Sequence, residues 1–399
     1  TVEEWENRHL IKEMGYRTDP PPGPVRAIAE YEPMQGVLIR YPLGISTSLV
    51  RELAEDDIVY CLVSSGLQNS AFNSLNSANV NMDNVEFITG STDSHWTRDY
   101  GPWWVIDANG DFAIVDFTYN RPRPNDNQAP LKVANYLDIP YYSADIIQTG
   151  GNYMTDGFGI AASTQIAYTE NDECNTNDSW SIPLAPCSYV DNIMEDYYGI
   201  TTYHVVADPN DEYIDHIDCW GKYLSPTKIM IRSVPSTHPQ YMMIEEVVDY
   251  FESTTTSSGL PWEVFRVYTP YDQPYTNSLI LNNKVFVPIM NSSWDDDAIL
   301  VYEEAMPNRE ILTYTGSWYS TDALHCRTRG IPDLSYSMFQ SGDVNMDDLI
   351  NILDIVNIVN QILGTTEFSA IQIQLADLNN DGNINILDIV LVVNLVLGE

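Results

Sequence analysis

The sequence is short of positive charge: 18 lysines and arginines stand against 57 aspartates and glutamates, for a formal net charge of −39 over 399 residues. Such a surface repels a phosphate backbone, which excludes nucleic acid as a partner. It suits a salty medium, where solvated carboxylates keep a protein in solution. Long hydrophobic runs are also missing, and none approaches the ~20 residues needed to span a bilayer. Cysteine is scarce, with five in all. Cys174 and Cys187 flank a polar loop and could pair, Cys61 and Cys219 sit in apolar surroundings and read as core, and Cys326 is left over. The sequence begins at Thr1, so any signal peptide is read as removed or left out of it.

What is present divides into unlike regions. Residues 1–24 start acidic and run into Asp19-Pro-Pro-Pro-Gly-Pro24, read as an extended lead-in. Residues 25–338 alternate short apolar runs of strand composition with helical patterns, which predicts an α/β catalytic domain. The predicted strands include Val37–Arg40, Ile58–Val63, Val85–Thr89, Trp103–Ile106, Phe112–Phe117, Val285–Ile289 and Ile311–Thr313. The predicted helices include Ser46–Ala54, Gln128–Leu137, Ser188–Tyr197 and Met242–Glu252. No literal repeat occurs there, so any internal symmetry must be structural.

Residues 341–399 contain no lysine or arginine, and they do repeat. Asp343, Asn345, Asp347, Asn351 and Asp354 recur in the same spacing as Asp377, Asn379, Asp381, Asn385 and Asp388. Side-chain oxygens at positions 1, 3, 5, 9 and 12, with the backbone carbonyls of Leu349 and Asn383 at position 7, match a hard-cation loop that holds Ca²⁺. Asp348 stands where the sharp turn prefers glycine. With aspartate at position 12 and a duplicated loop, the tail resembles a dockerin. That resemblance implies a small α-helical, calcium-folded, extracellular module that plugs into a cohesin-bearing scaffold, with Ile352-Leu353 and Ile386-Leu387 as recognition pairs.

The chemistry-bearing residues suit attack on a guanidinium cation. That group stays protonated and resists nucleophiles, so an enzyme must clamp it with carboxylates, bring a thiolate to it and protonate the departing nitrogen. Asp99 and Asp218 can clamp it through charge-assisted hydrogen bonds. His216 lies two residues before Asp218, and in a strand both would face one ligand. His325, adjacent to Cys326, would point away from it in an extended segment, so the acid–base role falls to His216. Asn277 offers an amide to orient the thiol or the substrate. Arg121-Pro-Arg123 aims two guanidinium groups the same way in a chain held extended by prolines.

Trp96-Thr-Arg-Asp-Tyr-Gly-Pro102, Gly150-Gly-Asn-Tyr-Met-Thr-Asp156, His216-Ile-Asp218, Tyr275-Thr-Asn-Ser278 and His325-Cys-Arg-Thr328 resemble the guanidine-modifying enzymes, above all secreted bacterial peptidylarginine deiminase. The resemblance covers roughly residues 24–335. It implies a five-bladed α/β propeller, the pentein fold, ahead of the dockerin-like tail. It implies deimination of arginine in proteins or peptides to citrulline and ammonia through a Cys thiouronium intermediate, without a cofactor. By the same resemblance Cys326 is the nucleophile, His216 the acid and then the base, and Asp99 and Asp218 the clamps. Asn277 supports the site, and Trp96, Tyr213, Ile214 and Thr321 line the substrate pocket. A preference for C-terminal arginine falls on Arg121 and Arg123, which suit a carboxylate and have nothing to bind on agmatine. The polar insertion Glu170–Pro186 departs from the pattern. Agmatine or free-arginine deimination, or an inactive scaffold-docked calcium-binding subunit, are the alternatives; a cysteine protease would need no paired carboxylates.

Overall fold

The computed structural model describes residues 2–174, 180–335, 341–345, 349–366, 368, 370–379 and 382–397. Contacts divide the chain into two compact units, Thr1–Leu334 and Ser335–Glu399.

Five small sheets make up the first unit, and all follow one plan. Trp103–Ile106 pairs antiparallel with Phe112–Tyr119, and the helix Ala129–Leu137 returns the chain to Tyr141–Gln148, parallel to the second strand. A parallel neighbour cannot be reached by a tight turn, which is why a helix stands between the two strands. The plan recurs with strands Met154–Thr155, Ile160–Thr164 and Thr202–Val206 around the helix Ser188–Tyr198. It recurs again with Gly221–Ser225, Lys228–Ser233 and Glu263–Tyr268 around Tyr241–Ser253. Leu279–Leu281, Lys284–Ile289 and Glu310–Thr315 repeat it around Asp295–Ala305. The remaining sheet joins the two ends of the unit. Arg329–Pro332 pairs antiparallel with Met34–Arg40, and the helix Thr47–Asp56 leads to the parallel strand Ile58–Val63.

Local sequence explains these elements. Ser46 caps the helix Thr47–Asp56 by accepting a hydrogen bond from the Leu49 amide, and Leu49, Val50, Leu53 and Ala54 form its buried face. Middle strands such as Val59–Val63 are buried on both faces and read as continuous apolar runs. One expectation fails. The segment 1–24 is not all extended: Val2–Asn7 is α-helical and Arg8–Met14 is a 3₁₀ helix. The residues before Gly15 contain neither proline nor glycine, so the extended lead-in is confined to the proline-rich stretch that follows. This segment is tied to the unit by the Asn127 amide donating to the Met14 carbonyl and Tyr197 Oη donating to the Thr18 carbonyl.

The second unit has helices Ile352–Ile362, Ala370–Ala376 and Ile386–Leu397 around Val344, Ile358, Phe368, Ala376 and Val392. Asp354 and Asp388 are fully buried at equivalent places. Asp354 accepts from the amides of Val344, Asn345 and Asn351, and Asp388 from those of Asn379 and Asn385. Ile352, Leu353, Ile386 and Leu387 are exposed and contribute little to internal packing. No described helix is long and apolar enough to cross a membrane.

Cys174 and Cys187 form a disulfide across 13 positions of sequence. It closes the insertion, whose return limb is anchored where the Leu184 amide donates to the Val205 carbonyl. Replacing both cysteines by serine should lower unfolding free energy by up to ~3 kcal/mol on the loop-closure model. Chemical denaturation of the two proteins under non-reducing conditions checks this; equal stability would show the loop to be held by its other contacts.

Candidate active site

The site is built from segments that precede strands. Asp99 lies before Trp103–Ile106, Gly150–Asn152 before Met154–Thr155, and His216–Asp218 before Gly221–Ser225. Asn277 stands before Leu279–Leu281, and Cys326 before Arg329–Pro332. Each of the five sheets therefore delivers one piece at the point where rigid strand gives way to irregular chain. Hydrogen bonds stitch the pieces together. The Arg98 amide donates to the Cys326 carbonyl, the Gly150 amide to the Asp99 carbonyl, and the His325 amide to the Asn277 carbonyl. Asn152 Oδ1 accepts from the Ile217 amide at 3.2 Å.

Cys326 is buried in the 3₁₀ turn His325–Arg327. Asn277 Nδ2 donates to its Sγ at 3.2 Å, while Asn277 Oδ1 accepts from the backbone amides of His325 and Cys326. Asp218 Oδ2 lies 3.8 Å from the sulfur. The segment is thus not extended, and the reason given above for setting His325 aside is wrong. His325 is nevertheless unsuited to proton transfer because both ring nitrogens are engaged: Nδ1 lies 2.7 Å from Asp218 Oδ2 and Nε2 2.5 Å from Glu30 Oε2. Burial, then the charges of Asp218 and Asp99, push the Cys326 thiol well above its ordinary range.

His216 and Asp218 do not lie in a strand either, since Ile217–Cys219 is a 3₁₀ turn with His216 at its head. They converge all the same. A Cβ placed on Gly151 would lie 2.6 Å from His216 Nδ1, 2.7 Å from Asp99 Oδ1 and 3.3 Å from Asp218 Oδ2. One point in space therefore faces two carboxylates and an imidazole, and it lies against a residue without a side chain. Asp99 Oδ1 and both nitrogens of His216 are buried without a hydrogen bond among the described residues. Burial and the neighbouring Asp218 hold the Asp99 carboxyl well above the usual range. Burial lowers His216 to about 4, against the pull of Asp218. Asp218 is lowered despite its burial, because His325 donates to it and His325 and His216 lie close by. A cation lying over Gly151, beside this point, would meet the side chains of Asp99 and Asp218 already facing it, the arrangement that stabilises positive charge at least reorganisation cost.

Beneath that point lies a carboxylate for which the sequence gave no warning. Glu30 accepts from Lys222 Nζ at 2.9 Å, and its Oε2 lies 2.5 Å from His325 Nε2 and 2.8 Å from Arg98 Nη2. It also accepts from the Ile280 amide. These cations keep its carboxyl well below the usual range although burial opposes them. Glu30, Arg98, Lys222, His325, Asp218 and Arg329 surround a small cavity of about 30 Å³. The Gly-Gly pair at 150–151 was visible in the sequence but carried no role there; Glu30, in Ile-Ala-Glu-Tyr, carried no signal at all.

The rim is less uniform. Arg123 stacks on Trp96, its guanidinium carbon 4.6 Å from the ring centroid, and donates to Glu4 Oε1 at 2.6 Å. Arg121 Nη1 donates to the Asn120 carbonyl, and both arginines oppose the rise of the Asp99 carboxyl. The segment is not extended as expected: the Arg123 amide donates to the Arg121 carbonyl at 2.7 Å, which closes a tight turn across Pro122. Tyr213 is 85% exposed, and Ile214 and Thr321 are half-buried. Their loops do meet, since Ser320 Oγ donates to Glu212. Arg327, next to the cysteine, is tied to Asp322 by two hydrogen bonds and serves the fold.

In the second unit, Asp343, Asn345, Leu349, Asn351, Asp354, Asp377, Asn379, Asn383, Asn385 and Asp388 are described. Asp347, Asp348 and Asp381 lie outside the described residues. Among the described residues no group of three or more acidic, His or Cys side chains is gathered as a metal site. The donor set nevertheless fits a hard cation, because it is all oxygen. The buried Asp354 and Asp388 also keep lone pairs beyond those used by backbone amides.

Fold and site together define a deiminase of guanidino groups. The model of the Porphyromonas-type peptidyl-arginine deiminases matches residues 26–332, and that of the dockerin type I domain matches residues 341–397. The chain belongs to the Porphyromonas-type peptidyl-arginine deiminase family and carries a dockerin type I domain. An agmatine deiminase of Medicago truncatula is 24% identical over 312 residues, covering 64% of this chain and 81% of the relative. The solved agmatine deiminase of Enterococcus faecalis superposes with a TM-score of 0.65 at 17% identity, over 81% of this chain and 97% of that one. The Campylobacter jejuni agmatine deiminase does so with 0.62 at 16% identity, over 77% and 96%.

Gly151→Ala tests the convergence. The methyl group would meet the tips of movable side chains, so the fold should survive while the imidazole and carboxylate are pushed apart. Displacements near 1 Å cost about a hundredfold in rate, and kcat/KM for any guanidine substrate should fall at least that far with an unchanged circular dichroism spectrum. Near-normal turnover would show that the substrate does not use this point.

Proposed function

We propose that the protein converts arginine with a free carboxylate, above all at the C-terminus of peptides, to citrulline and ammonia. The single observation behind the chemistry is the meeting of Asp99, Asp218 and His216 at the missing Gly151 side chain. The five sheets, joined by the pairing of Arg329–Pro332 with Met34–Arg40, are read as the blades of a propeller with the site at its centre.

In the proposed sequence, Asp99 and Asp218 hold the guanidinium nitrogens, and its charge offsets the carboxylates that disfavour a Cys326 thiolate. The thiol proton passes to His216 and the sulfur attacks the central guanidinium carbon. His216 returns the proton to one nitrogen, which leaves as ammonia, and a thiouronium cation remains on Cys326. Water then attacks that carbon as His216 takes one of its protons. The C–S bond breaks, citrulline departs after losing its extra proton, and His216 restores the thiol. Asn277 keeps the sulfur in place throughout. Cys326→Ser should retain the fold and form no citrulline.

Arg121 and Arg123 support the choice of substrate, because an arginine held by its side chain presents its backbone at the pocket mouth. A terminal carboxylate there can meet both groups, whereas an internal arginine offers a neutral carbonyl. A second reading, agmatine deimination, is favoured by the names of the relatives. Trp96 would wall the apolar arm in either case; Tyr213, Ile214 and Thr321 are kept as rim positions. Peptides ending in arginine should be processed at least roughly tenfold better than the same peptides extended by one residue, the worth of one charge-assisted bond. Arg121→Ala with Arg123→Ala should remove that margin and spare the chemistry. Citrulline formation on peptide, extended peptide and agmatine measured side by side decides; a higher kcat/KM on agmatine selects the second reading.

The dockerin domain supports an extracellular enzyme docked to a cohesin-bearing scaffold through Ile352-Leu353 or Ile386-Leu387. Ca²⁺ would be held by Asp343, Asn345, Asp347, Leu349, Asn351 and Asp354, and by Asp377, Asn379, Asp381, Asn383, Asn385 and Asp388. It would offset carboxylates that otherwise repel one another. Chelation of the whole protein should raise hydrogen exchange across 341–397 and leave citrulline formation unchanged. Exchange indifferent to chelator would remove calcium from the folding of this domain.

A further inference from the structure

The Glu4–Arg123 contact is more than a surface ion pair. Glu4 lies on the helix Val2–Asn7, and its carboxylate reaches Arg123 from a position 119 residues earlier in the chain. The side chains of Arg123 and Glu4 are only 15% and 23% exposed. Arg123 is at the same time fixed from another side by the Trp96 ring and by Tyr119 Oη, to which its Nη1 donates at 3.4 Å. Further along the same N-terminal segment, Lys12 pairs with Asp172 of the insertion and the Asn127 amide donates to the Met14 carbonyl. The segment is therefore held against the unit at three places, and at one of them it presents a carboxylate to the guanidinium that stacks on Trp96.

We infer that Glu4 is a specificity-determining residue: its carboxylate stands in for the carboxylate of the substrate on Arg123 and weakens the hold of that guanidinium on an arginine C-terminus. This inference rests on the reading of Arg121 and Arg123 as a carboxylate clamp. Glu4 Oε1 takes the Nε–Nη2 edge of Arg123 and Nη1 is turned to Tyr119 Oη, so the charge of Glu4 repels a second carboxylate brought to the same guanidinium. The contact thus taxes carboxylate-bearing substrates and leaves those without a carboxylate untouched. It also keeps Arg123 paired on the tryptophan between turnovers, so that its fork stays orientated for the next carboxylate.

Binding to the Cys326→Ser protein, which does not turn over, separates this from catalysis. A peptide ending in arginine and the same peptide as its C-terminal amide are titrated calorimetrically, before and after Glu4→Gln. Loss of a partly exposed ion pair is worth up to about a fivefold change, so Glu4→Gln should tighten the acid by roughly threefold to fivefold and leave the amide unchanged. Adding Arg123→Ala should abolish the gain. An acid preferred over the amide but indifferent to Glu4→Gln, or weakened by it, overturns the role of Glu4 and leaves the clamp standing. No preference for the acid in either protein overturns the clamp and, with it, the role of Glu4.

Discussion

The interaction on which the rest depends is the meeting of Glu30 with Arg98, Lys222 and His325. A carboxylate taken out of water costs several kcal/mol, and here that cost is offset because three partners arrive from different sheets. Arg98 comes from the segment before Trp103–Ile106, Lys222 from the strand Gly221–Ser225, and His325 from the turn before Arg329–Pro332. The Ile280 amide adds the sheet of Leu279–Leu281. Removing any one partner would leave buried charge uncompensated. The network therefore penalises arrangements in which the sheets sit at other distances, and through His325 it fixes where Asp218 and Cys326 must lie.

The charge layering follows from this. Cations collect beneath, around Glu30, where burial lowers Lys222 and brings Arg329 to about 9. Carboxylates collect at the point above, where Asp99 and Asp218 face His216. Asp218 belongs to both layers: it receives His325 from below and lies 3.8 Å from the sulfur. A site so arranged is poor at holding an anion or a thiolate by itself and good at holding a cation. In the proposed reaction the Cys326 thiol would ionise only when a cationic substrate is present, which would limit reaction with other electrophiles.

The sequence was a good guide to elements and a poor guide to their local geometry at the site. The helices at Thr47–Asp56, Ala129–Leu137, Ser188–Tyr198 and Tyr241–Ser253 begin and end within two residues of their predicted bounds. Their apolar faces and the strands' apolar runs are properties of contiguous residues. His216 and Asp218 were assigned to one ligand on strand spacing, yet the chain turns there, and their convergence owes more to the hydrogen bond from the Ile217 amide to Asn152. His325 was set aside for pointing away, whereas two hydrogen bonds occupy it. The N-terminal segment was read as extended because its prolines outweighed the thirteen residues before Gly15 that form Val2–Asn7 and Arg8–Met14.

By itself the sequence determined the residue types that chemistry needs, the duplicated oxygen-rich loops and the boundary where basic residues cease, since each is a matter of composition and spacing along the chain. Only the tertiary structure decided that Glu30 sits under the site, that Gly151 makes room at its centre and that Glu4 lies on Arg123. Those contacts join residues far apart in the chain: 295 positions for Glu30 and His325, 192 for Glu30 and Lys222, and 119 for Glu4 and Arg123. No local pattern records them, because they exist only once segments from separate sheets have met and the burial of charge has made each position depend on the others.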